Sequence, residues 1–446
     1  MYSTAYASTT AKTELALVWL FYLAGGVIVL ALTAKPALVP AAAAAAVVVV
    51  AAVRFPEAIL VFFLVIGSLK PTELGAQIAQ FAPAGFDLSA LAGLATVGAI
   101  AIALRKQWAQ PFGLPLAAVF FLALVVLLLV GAFYSPDPAG GLRKALTFEI
   151  FSALAFLAPL AIVRTRASFY RTLVLVVAVG VAVALTVQPA ERSASLLVLP
   201  GGTNQIQVGL LLGLAVVSIV AYLWPASSGW LRLAFLPPLA LVLTKLFSAG
   251  GRSALVGTLL ACAVGTIWLL RSGRRNRIAA LALVGLLAAL IPAAWITTAP
   301  TVKERYLVTI ADMRGGAGLD SGGAERTALA DAAVETFDAH PLGAGTAGYT
   351  ALTGYEWPHN IVLELASELG LLGVAAFFAL VAGIVVAAVH AARSPTLRTE
   401  AIGAASLLLL PLAMAFASFD LNGNRILWFA CGLALASTRL VEGTPS

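Results

Sequence analysis

Charged residues are scarce in this sequence. Only 11% of its 446 residues are Asp, Glu, Lys or Arg, whereas 61% are hydrophobic. Soluble domains carry roughly 25% charged residues. Many apolar runs reach the length of about 20 residues with which a helix crosses a bilayer, and the alternating ten-residue pattern of a membrane barrel is absent from the sequence. We therefore predict an all-α polytopic membrane protein, whose helices satisfy their own backbone polar groups in lipid.

Cysteine is also rare. The two cysteines, Cys262 and Cys431, fall inside predicted spans, so we expect neither a disulfide framework nor a cysteine metal site. The sequence has no Walker loop, no dinucleotide-binding glycine fingerprint and no His-Glu-x-x-His pair, and we expect no metal and no cofactor. The net charge of +7 does not indicate nucleic acid, because no basic run in a soluble segment is interleaved with stacking aromatics.

Apolar runs divide the chain into as many as fourteen spans. Three of these, 37–53, 55–69 and 426–438, are short enough to be half-spans. About twelve transmembrane helices are therefore expected. The predicted spans are 15–34, 37–53, 55–69, 88–104, 115–133, 145–163, 172–187, 208–224, 231–247, 253–270, 278–297, 361–389, 401–419 and 426–438.

Basic residues concentrate in three short loops, 164–171, 271–277 and 390–400. The positive-inside rule puts all three in the cytoplasm, together with both termini. The segment 298–360 then lies on the opposite face and is too long for an ordinary connection. The expected organisation is N-terminal transmembrane helices over 1–297, an outward loop over 298–360 and C-terminal transmembrane helices over 361–446.

The outward loop contains a predicted amphipathic helix over 323–340. Leu329, Ala333 and Phe337 recur at a spacing of four, which puts them on one helical face. Pro341 and the glycines after it end the helix. Two placements stay open: a lid lying against the outer membrane face, and a surface helix packed on other loops.

Several arginines fall on the outward side. Arg252 stands between two apolar spans after two glycines, and Arg192 precedes a small polar turn that begins the next span. A guanidinium near membrane depth is expensive unless it faces a cavity, a partner or a ligand. Two converging arginines would suit a diphosphate, because the planar fork matches phosphate oxygens. The alternative is that these side chains reach lipid headgroups.

His359 and Asn360 stand where the outward loop meets an apolar span. A neutral imidazole takes up a proton near physiological pH, so His359 is a candidate general base toward a hydroxyl. Asn360 could orient that ring or a substrate, or it could cap the next helix. The alternative for the pair is that it only starts the helix.

Three motifs in this order resemble the O-antigen ligase / O-antigen polymerase (WaaL/Wzy) superfamily of bacterial membrane glycosyltransferases. They are "SAGGRSALVG", "ERTALADAAVETFDAHPLGAGTAGY" and "HNIVLELASELGLLG". The resemblance covers about residues 188–375, and "SAGGR" departs from the commoner Ser-Arg pair. It implies a GT-C type fold with a periplasmic helical loop. It also implies a metal-independent, inverting transfer of a glycan from undecaprenyl diphosphate to a sugar hydroxyl, on the periplasmic face of the bacterial inner membrane.

The resemblance also implies roles for single residues. His359 is the expected catalytic residue, which activates the acceptor hydroxyl. Arg252 is expected to bind the diphosphate, with Arg192 as the second arginine. Arg326, at the start of the loop helix, and Asn360 are possible substrate contacts.

The resemblance leaves the acceptor open. A ligase passes the glycan to lipid A-core, whereas a polymerase passes it to another carrier-linked repeat unit. The single large loop after the mid-chain span favours the ligase. The expected partners are then a carrier-linked glycan donor, a lipid A-core acceptor and membrane lipids. The alternative from another class is a polytopic lipid or saccharide transporter, against which stands the lack of a repeat between the two halves of the sequence.

Overall fold

The computed structural model describes residues 54–69, 88–106, 114–190, 193–199, 205–271, 274–313 and 321–441. The predicted spans 15–34 and 37–53 lie outside these residues. A short 3-10 helix spans Gly229–Phe235. The elements of the described ranges are α1 Pro56–Leu69, α2 Leu88–Lys106, α3 Leu116–Tyr134, α4 Pro138–Ile162, α5 Arg166–Thr186, β1 Gln188–Ala190, β2 Ser193–Val198, α6 Gln205–Ala226, α7 Leu236–Ser248, α8 Arg252–Leu270, α9 Arg274–Thr297, α10 Pro300–Met313, α11 Ser321–Ala339, α12 Gly348–Thr353, α13 Ile361–Arg393, α14 Arg398–Ala415 and α15 Arg425–Ser437.

The helices are those of a membrane bundle. Within the described part of the chain, ten of them are long and apolar enough to cross a bilayer, and α1 and α15 are shorter apolar helices. The predicted all-α polytopic architecture is thus confirmed. The antiparallel hairpin β1–β2, with Gln188 opposite Val198, is a feature that the sequence analysis did not predict.

α4 begins earlier than predicted. The predicted span 145–163 started after the charged residue Lys144, whereas the helix starts at Pro138. Asp137 caps this start, since its Oδ1 accepts a hydrogen bond from Gly140 N at 3.0 Å, and proline is favourable at a first helical position. The extra turns carry Lys144 into the bundle.

Small residues let the helices approach closely, as is typical inside membranes. A Cβ placed on Gly213 of α6 would lie 2.3 Å from Thr258 Oγ1 of α8, and one on Gly432 of α15 would lie 2.1 Å from the backbone oxygen of Phe156 in α4. Beside the second contact, Trp428 of α15 packs edge-on against Phe148 at 5.3 Å between ring centroids. α15 is therefore held tightly on α4, although it is short.

The helix ends fall into two groups because the chain runs up and down. The three basic loops share one end, where the Arg166 side chain donates to the Thr396 backbone oxygen and ion-pairs with Glu400 at 3.4 Å. The opposite end collects the end of α3 and the starts of α4, α8, α13 and α15. That second end contains every candidate site residue that the structure describes, apart from Arg326 on α11.

Gly432→Ala is expected to destabilise the protein by about 1–3 kcal/mol, because the added methyl group would overpack the contact with the α4 backbone. Gly285→Ala in α9 is the matched control, since a Cβ there meets nothing within 4 Å. Alanine in this open helical position should instead stabilise by about 0.5–1 kcal/mol. Thermal unfolding of the detergent-purified variants measures both, and equal melting temperatures would contradict the packing argument.

Candidate functional site

The site is built around a break in α13. Gly370 has φ 63° and ψ −158°, which interrupts the helix. The carbonyls of Ser367 and Glu368 lose their usual helical donors at this point and need others. Ala344 N–H donates to Ser367 O at 2.9 Å, and Gly345 N–H donates to Glu368 O at 2.9 Å. The segment that supplies these donors, residues 341–345, is called the break loop below.

The break loop lies directly against the interrupted backbone. A Cβ on Gly343 would be 2.3 Å from Glu368 O, and one on Gly370 would be 2.4 Å from Pro341 O. Both glycines also have positive φ, 94° and 63°, a region that L side chains rarely adopt. Gly343 and Gly370 are therefore required by the contact itself.

Two carboxylates on the outer turns of α13 share one buried cation. Lys144 Nζ lies 2.6 Å from Glu364 Oε1 and 2.7 Å from Glu368 Oε1. The lysine side chain is 15% exposed, and those of the two glutamates are 1% and 2% exposed. Residues four apart lie on one helical face, so both carboxylates meet the same ammonium group. Removing one partner of a buried pair leaves an uncompensated charge.

The connection between α14 and α15 completes this buried cluster. Glu364 Oε2 accepts from Leu421 N at 2.7 Å, and Asn422 Nδ2 donates to Lys144 O at 3.2 Å. Trp428 Nε1 donates to Leu421 O at 3.1 Å. The polar contacts thus join α4, α13 and the start of α15 in one rigid unit.

His359 stands immediately outside α13, in a conformation that few residues adopt. Its φ is 55°, in the left-handed region that is uncommon for residues other than glycine. Trp357 Nε1 donates a hydrogen bond to His359 Nδ1 at 2.9 Å, and the two rings meet edge to face with centroids 5.6 Å apart. His359 is half-buried, so one side of the ring is packed and part of it reaches solvent.

Asn360 is the N-cap of α13. Its Oδ1 accepts from Val362 N at 2.9 Å and from Leu363 N at 3.3 Å. Its Nδ2 donates to Phe416 O at 3.0 Å, in the turn that follows α14. Both polar atoms of the amide are thus bonded to backbone, as the capping interpretation of Asn360 predicts.

Arg252 is the first residue of α8, and its side chain is half-buried. The N-cap before it, Gly251, has no side chain with which to cap the first amides. Ser253 Oγ lies 3.3 Å from Ser418 Oγ, in the same turn after α14 that Asn360 contacts. α10 holds the chain segment that precedes Arg252, because Tyr306 Oη donates to the backbone oxygen of Phe247 at 3.1 Å.

The turn Phe416–Ser418 therefore joins two helix starts that are distant in sequence. One carries His359 and Asn360, and the other carries Arg252. Arg192 lies outside the residues that the structure describes. Arg326 is exposed on α11, and no hydrogen bond or ion pair of the described residues joins its side chain to this turn.

The amphipathic helix of the outward loop packs on protein. Leu329 and Ala333 of α11 are buried, and α11 contacts α13. Tyr349 Oη donates to Leu329 O at 3.1 Å. Burial raises the pKa of Tyr349, so this hydroxyl stays protonated, and able to donate, to a higher pH than a free tyrosine. The buried face of α11 thus follows the predicted apolar face, and α11 packs on α13.

The sequence analysis missed Lys144, Glu364, Glu368 and Trp357. The available signal was the pair of glutamates four residues apart inside an apolar span, since charges within spans are rare and are usually paired or functional. Among the described residues, no group of three His, Cys, Asp or Glu side chains could hold a metal ion.

One comparison with known families identifies this part of the chain. Residues 237–378 match the family model described as O-Antigen ligase. The matched stretch runs from α7 into α13, and it includes Arg252, the break loop and His359. No curated protein matches the sequence.

Gly370→Ala is expected to destabilise the protein by about 1–3 kcal/mol, because the side chain would meet the break loop and the positive φ would be strained. Gly354→Ala is the control, since Gly354 has φ 74° but a Cβ there meets nothing within 4 Å. It should show only the conformational strain, about 1 kcal/mol. Chemical or thermal unfolding in detergent compares the two, and equal losses would argue against the contact.

Lys144→Met is expected to destabilise the protein by about 3–5 kcal/mol, because it leaves two buried carboxylates without their cation. The neighbouring Arg143 is exposed, so Arg143→Met should change the free energy of unfolding by no more than about 0.5 kcal/mol. Adding Glu364→Gln and Glu368→Gln to Lys144→Met should restore part of the loss. The triple variant would show no recovery if packing of the lysine stem were the whole effect.

Proposed function

We propose that this chain, which belongs to the O-antigen ligase and polymerase superfamily, transfers a glycan from undecaprenyl diphosphate to a sugar hydroxyl of lipid A-core. In this proposal the protein lies in the bacterial inner membrane and the reaction takes place at the periplasmic face. The chain is a multi-pass membrane protein of a family of glycosyltransferase-like enzymes. Lipid-linked glycans and lipid acceptors are the partners that the family implies.

One observation carries the proposal. The turn Phe416–Ser418 is hydrogen-bonded both to Asn360 and to Ser253. His359 and Arg252, the immediate neighbours of these two residues in the chain, therefore belong to the same end of the bundle. A histidine and an arginine at one membrane surface are the groups that a diphosphate-linked substrate needs.

The glycan transfer needs few protein groups, because the diphosphate is a good leaving group that already activates the anomeric carbon. The acceptor oxygen forms its bond to that carbon as the bond to the phosphate oxygen breaks, and the electron pair leaves on the diphosphate. Arg252 and the first amides of α8 are the groups that we assign to stabilising this growing negative charge. His359, on the neighbouring helix start, is the second group that we assign to the reacting atoms.

The three remaining candidate residues, Asn360, Arg192 and Arg326, are assigned separate roles. We assign Asn360 to holding the start of α13, because both of its polar side-chain atoms are bonded to backbone. Arg192 remains the proposed second diphosphate ligand. Arg326 is exposed on α11, where it is available to a bound glycan that extends outward.

We favour the ligase over the polymerase because the segment between α9 and α13 is large and its described residues include α10, α11 and the break loop. Such a segment can cover a lipid A-core headgroup at the membrane surface. A polymerase would use the same donor and the same groups toward a second carrier-linked repeat unit, so the acceptor alone separates the two activities.

Purified protein is expected to move glycan from an undecaprenyl-diphosphate donor onto rough lipopolysaccharide. His359→Ala and Arg252→Ala should each lower the rate by about 10²–10³-fold, the range found when a group that stabilises transition-state charge is removed. The products are read on gels, with a second carrier-linked repeat unit offered in a parallel reaction. A ladder on the carrier would make the protein a polymerase.

The controls are His340→Ala in the exposed residue before the break loop and Arg393→Ala at the opposite end of the bundle. Both residues are exposed, and both variants should keep the full rate. Movement of the intact lipid-linked donor across a vesicle membrane, without transfer to either acceptor, would show that the protein is a transporter and not a glycosyltransferase.

A further inference from the structure

We propose that Trp357 is a positioning residue that fixes His359 as a hydrogen-bond donor, with Nε2–H directed to an oxygen of the leaving diphosphate. This inference rests on the function proposed above and assigns a specific atom of His359 to it. It differs from the general-base role expected from the sequence, and the two roles make opposite predictions for the same variants.

The contact between the two rings determines which nitrogen carries the proton. An indole nitrogen can only donate, and Trp357 Nε1 lies 2.9 Å from His359 Nδ1. Nδ1 must therefore accept with its lone pair. The neutral ring then carries its proton on Nε2, since one nitrogen of a neutral imidazole is a donor and the other an acceptor.

The surrounding backbone keeps the two rings in this arrangement. Thr350 Oγ1 donates to Glu356 O at 2.7 Å, which ties the residue before Trp357 to α12. Pro358, between the two rings in sequence, is buried. On the other side, Asn360 is bonded to α13 and to the turn after α14. His359 is thus held at both chain neighbours, and its left-handed φ of 55° belongs to this fixed geometry.

A base and a donor need opposite protonation at the atom that faces the substrate. To take the proton of the acceptor through Nε2, the ring would need its own proton on Nδ1, where the indole N–H already points. That arrangement would set two N–H groups against each other. While the contact with Trp357 persists, Nε2 presents a hydrogen, and an anionic phosphate oxygen is the acceptor that strengthens such a bond most.

The transfer balances without a basic histidine. The acceptor oxygen bonds to the anomeric carbon, the bond from that carbon to the phosphate oxygen breaks, and the electron pair leaves on the diphosphate. The proton of the acceptor hydroxyl ends on a diphosphate oxygen, which becomes more basic as its negative charge grows. His359 keeps its Nε2 proton throughout and shares it with the diphosphate, which stabilises the charge as it develops.

Three substitutions of His359 separate the roles. Gln places an amide N–H₂ near the position of Nε2 and cannot act as a base, whereas Asn places its amide near Nδ1. We expect His359→Gln to retain kcat within roughly tenfold of the unmodified protein, while His359→Asn and His359→Ala lose about 10²–10³-fold, the range for loss of one charge-stabilising donor. Asn tolerates positive φ better than Gln, so stability alone would predict the reverse order. A His359→Gln protein that binds donor normally but is as slow as His359→Ala would overturn the proposal in favour of a base.

Trp357→Phe tests the positioning role. The variant keeps an aromatic ring but removes the indole N–H, so the ring of His359 is free to carry its proton on either nitrogen. We expect kcat to fall with little change in KM for the donor, and we expect His359→Gln to be insensitive to the added Trp357→Phe substitution. Unchanged kcat in the single variant would remove Trp357 from the mechanism.

The tautomer itself can be read without any activity. Only three histidines are present, so the double variant His340→Gln/His390→Gln leaves His359 as the single histidine for ¹⁵N NMR in detergent. We expect the signals of the Nε2–H tautomer, and a mixture of tautomers after Trp357→Phe. Nδ1–H signals in the parent would overturn the inference. The expected spectra in a protein that transfers no glycan would instead place the failure with the proposed function.

Discussion

A bilayer offers no water to unpaired backbone groups, and this constraint governs the site end of the bundle. α13 is broken at Gly370 and remains stable because the break loop donates two amides to the carbonyls freed there. Thr346, the residue that follows this loop, is anchored on α3, since its Oγ1 donates to Leu128 O at 2.6 Å. The outer turns of α13 are consequently positioned by the loop rather than by the rest of their own helix. A change in α11 or in the break loop is therefore transmitted to the residues that these turns carry.

The charged residues inside the bundle differ in role from those at the helix starts. Lys144 is a cation close to the site, but two carboxylates occupy it and it is only 15% exposed. Two of the three N–H donors of its ammonium group are directed to these carboxylates, so most of its positive charge is compensated inside the bundle. Arg252 and His359 stand at helix starts and are half-buried. The buried cluster thus supports the site, and His359 and Arg252 are the groups that we propose to meet the ligand.

The sequence predicts the parts of this arrangement that depend on residues close together in the chain, and it does not predict contacts between distant residues. The spans, α11 and the cap at Asn360 follow from local patterns of apolar spacing and capping residues, and the structure contains all of them where the chain is described. The pairing of Lys144 with Glu364 joins residues 220 positions apart, which no local pattern reports. The predicted span begins at 145, directly after Lys144, whereas the helix begins at Pro138. The π-helical segment Phe148–Ala153 in α4 was likewise not predicted from the sequence.

The role of His359 illustrates the same limit at the level of one atom. The sequence suggests a base because a histidine titrates near neutral pH, and that property belongs to the residue type. Which nitrogen carries the proton belongs to the neighbour, here the indole of Trp357 two residues earlier. Because an indole can only donate, its contact with Nδ1 leaves the proton of the neutral imidazole on Nε2. The Nε2 atom of His359 is then the donor. The conformation that permits this contact, with φ 55° at His359, is maintained by the bonds of Asn360 and Glu356 on either side. The chemistry proposed for the site is thus a consequence of how the loop is held.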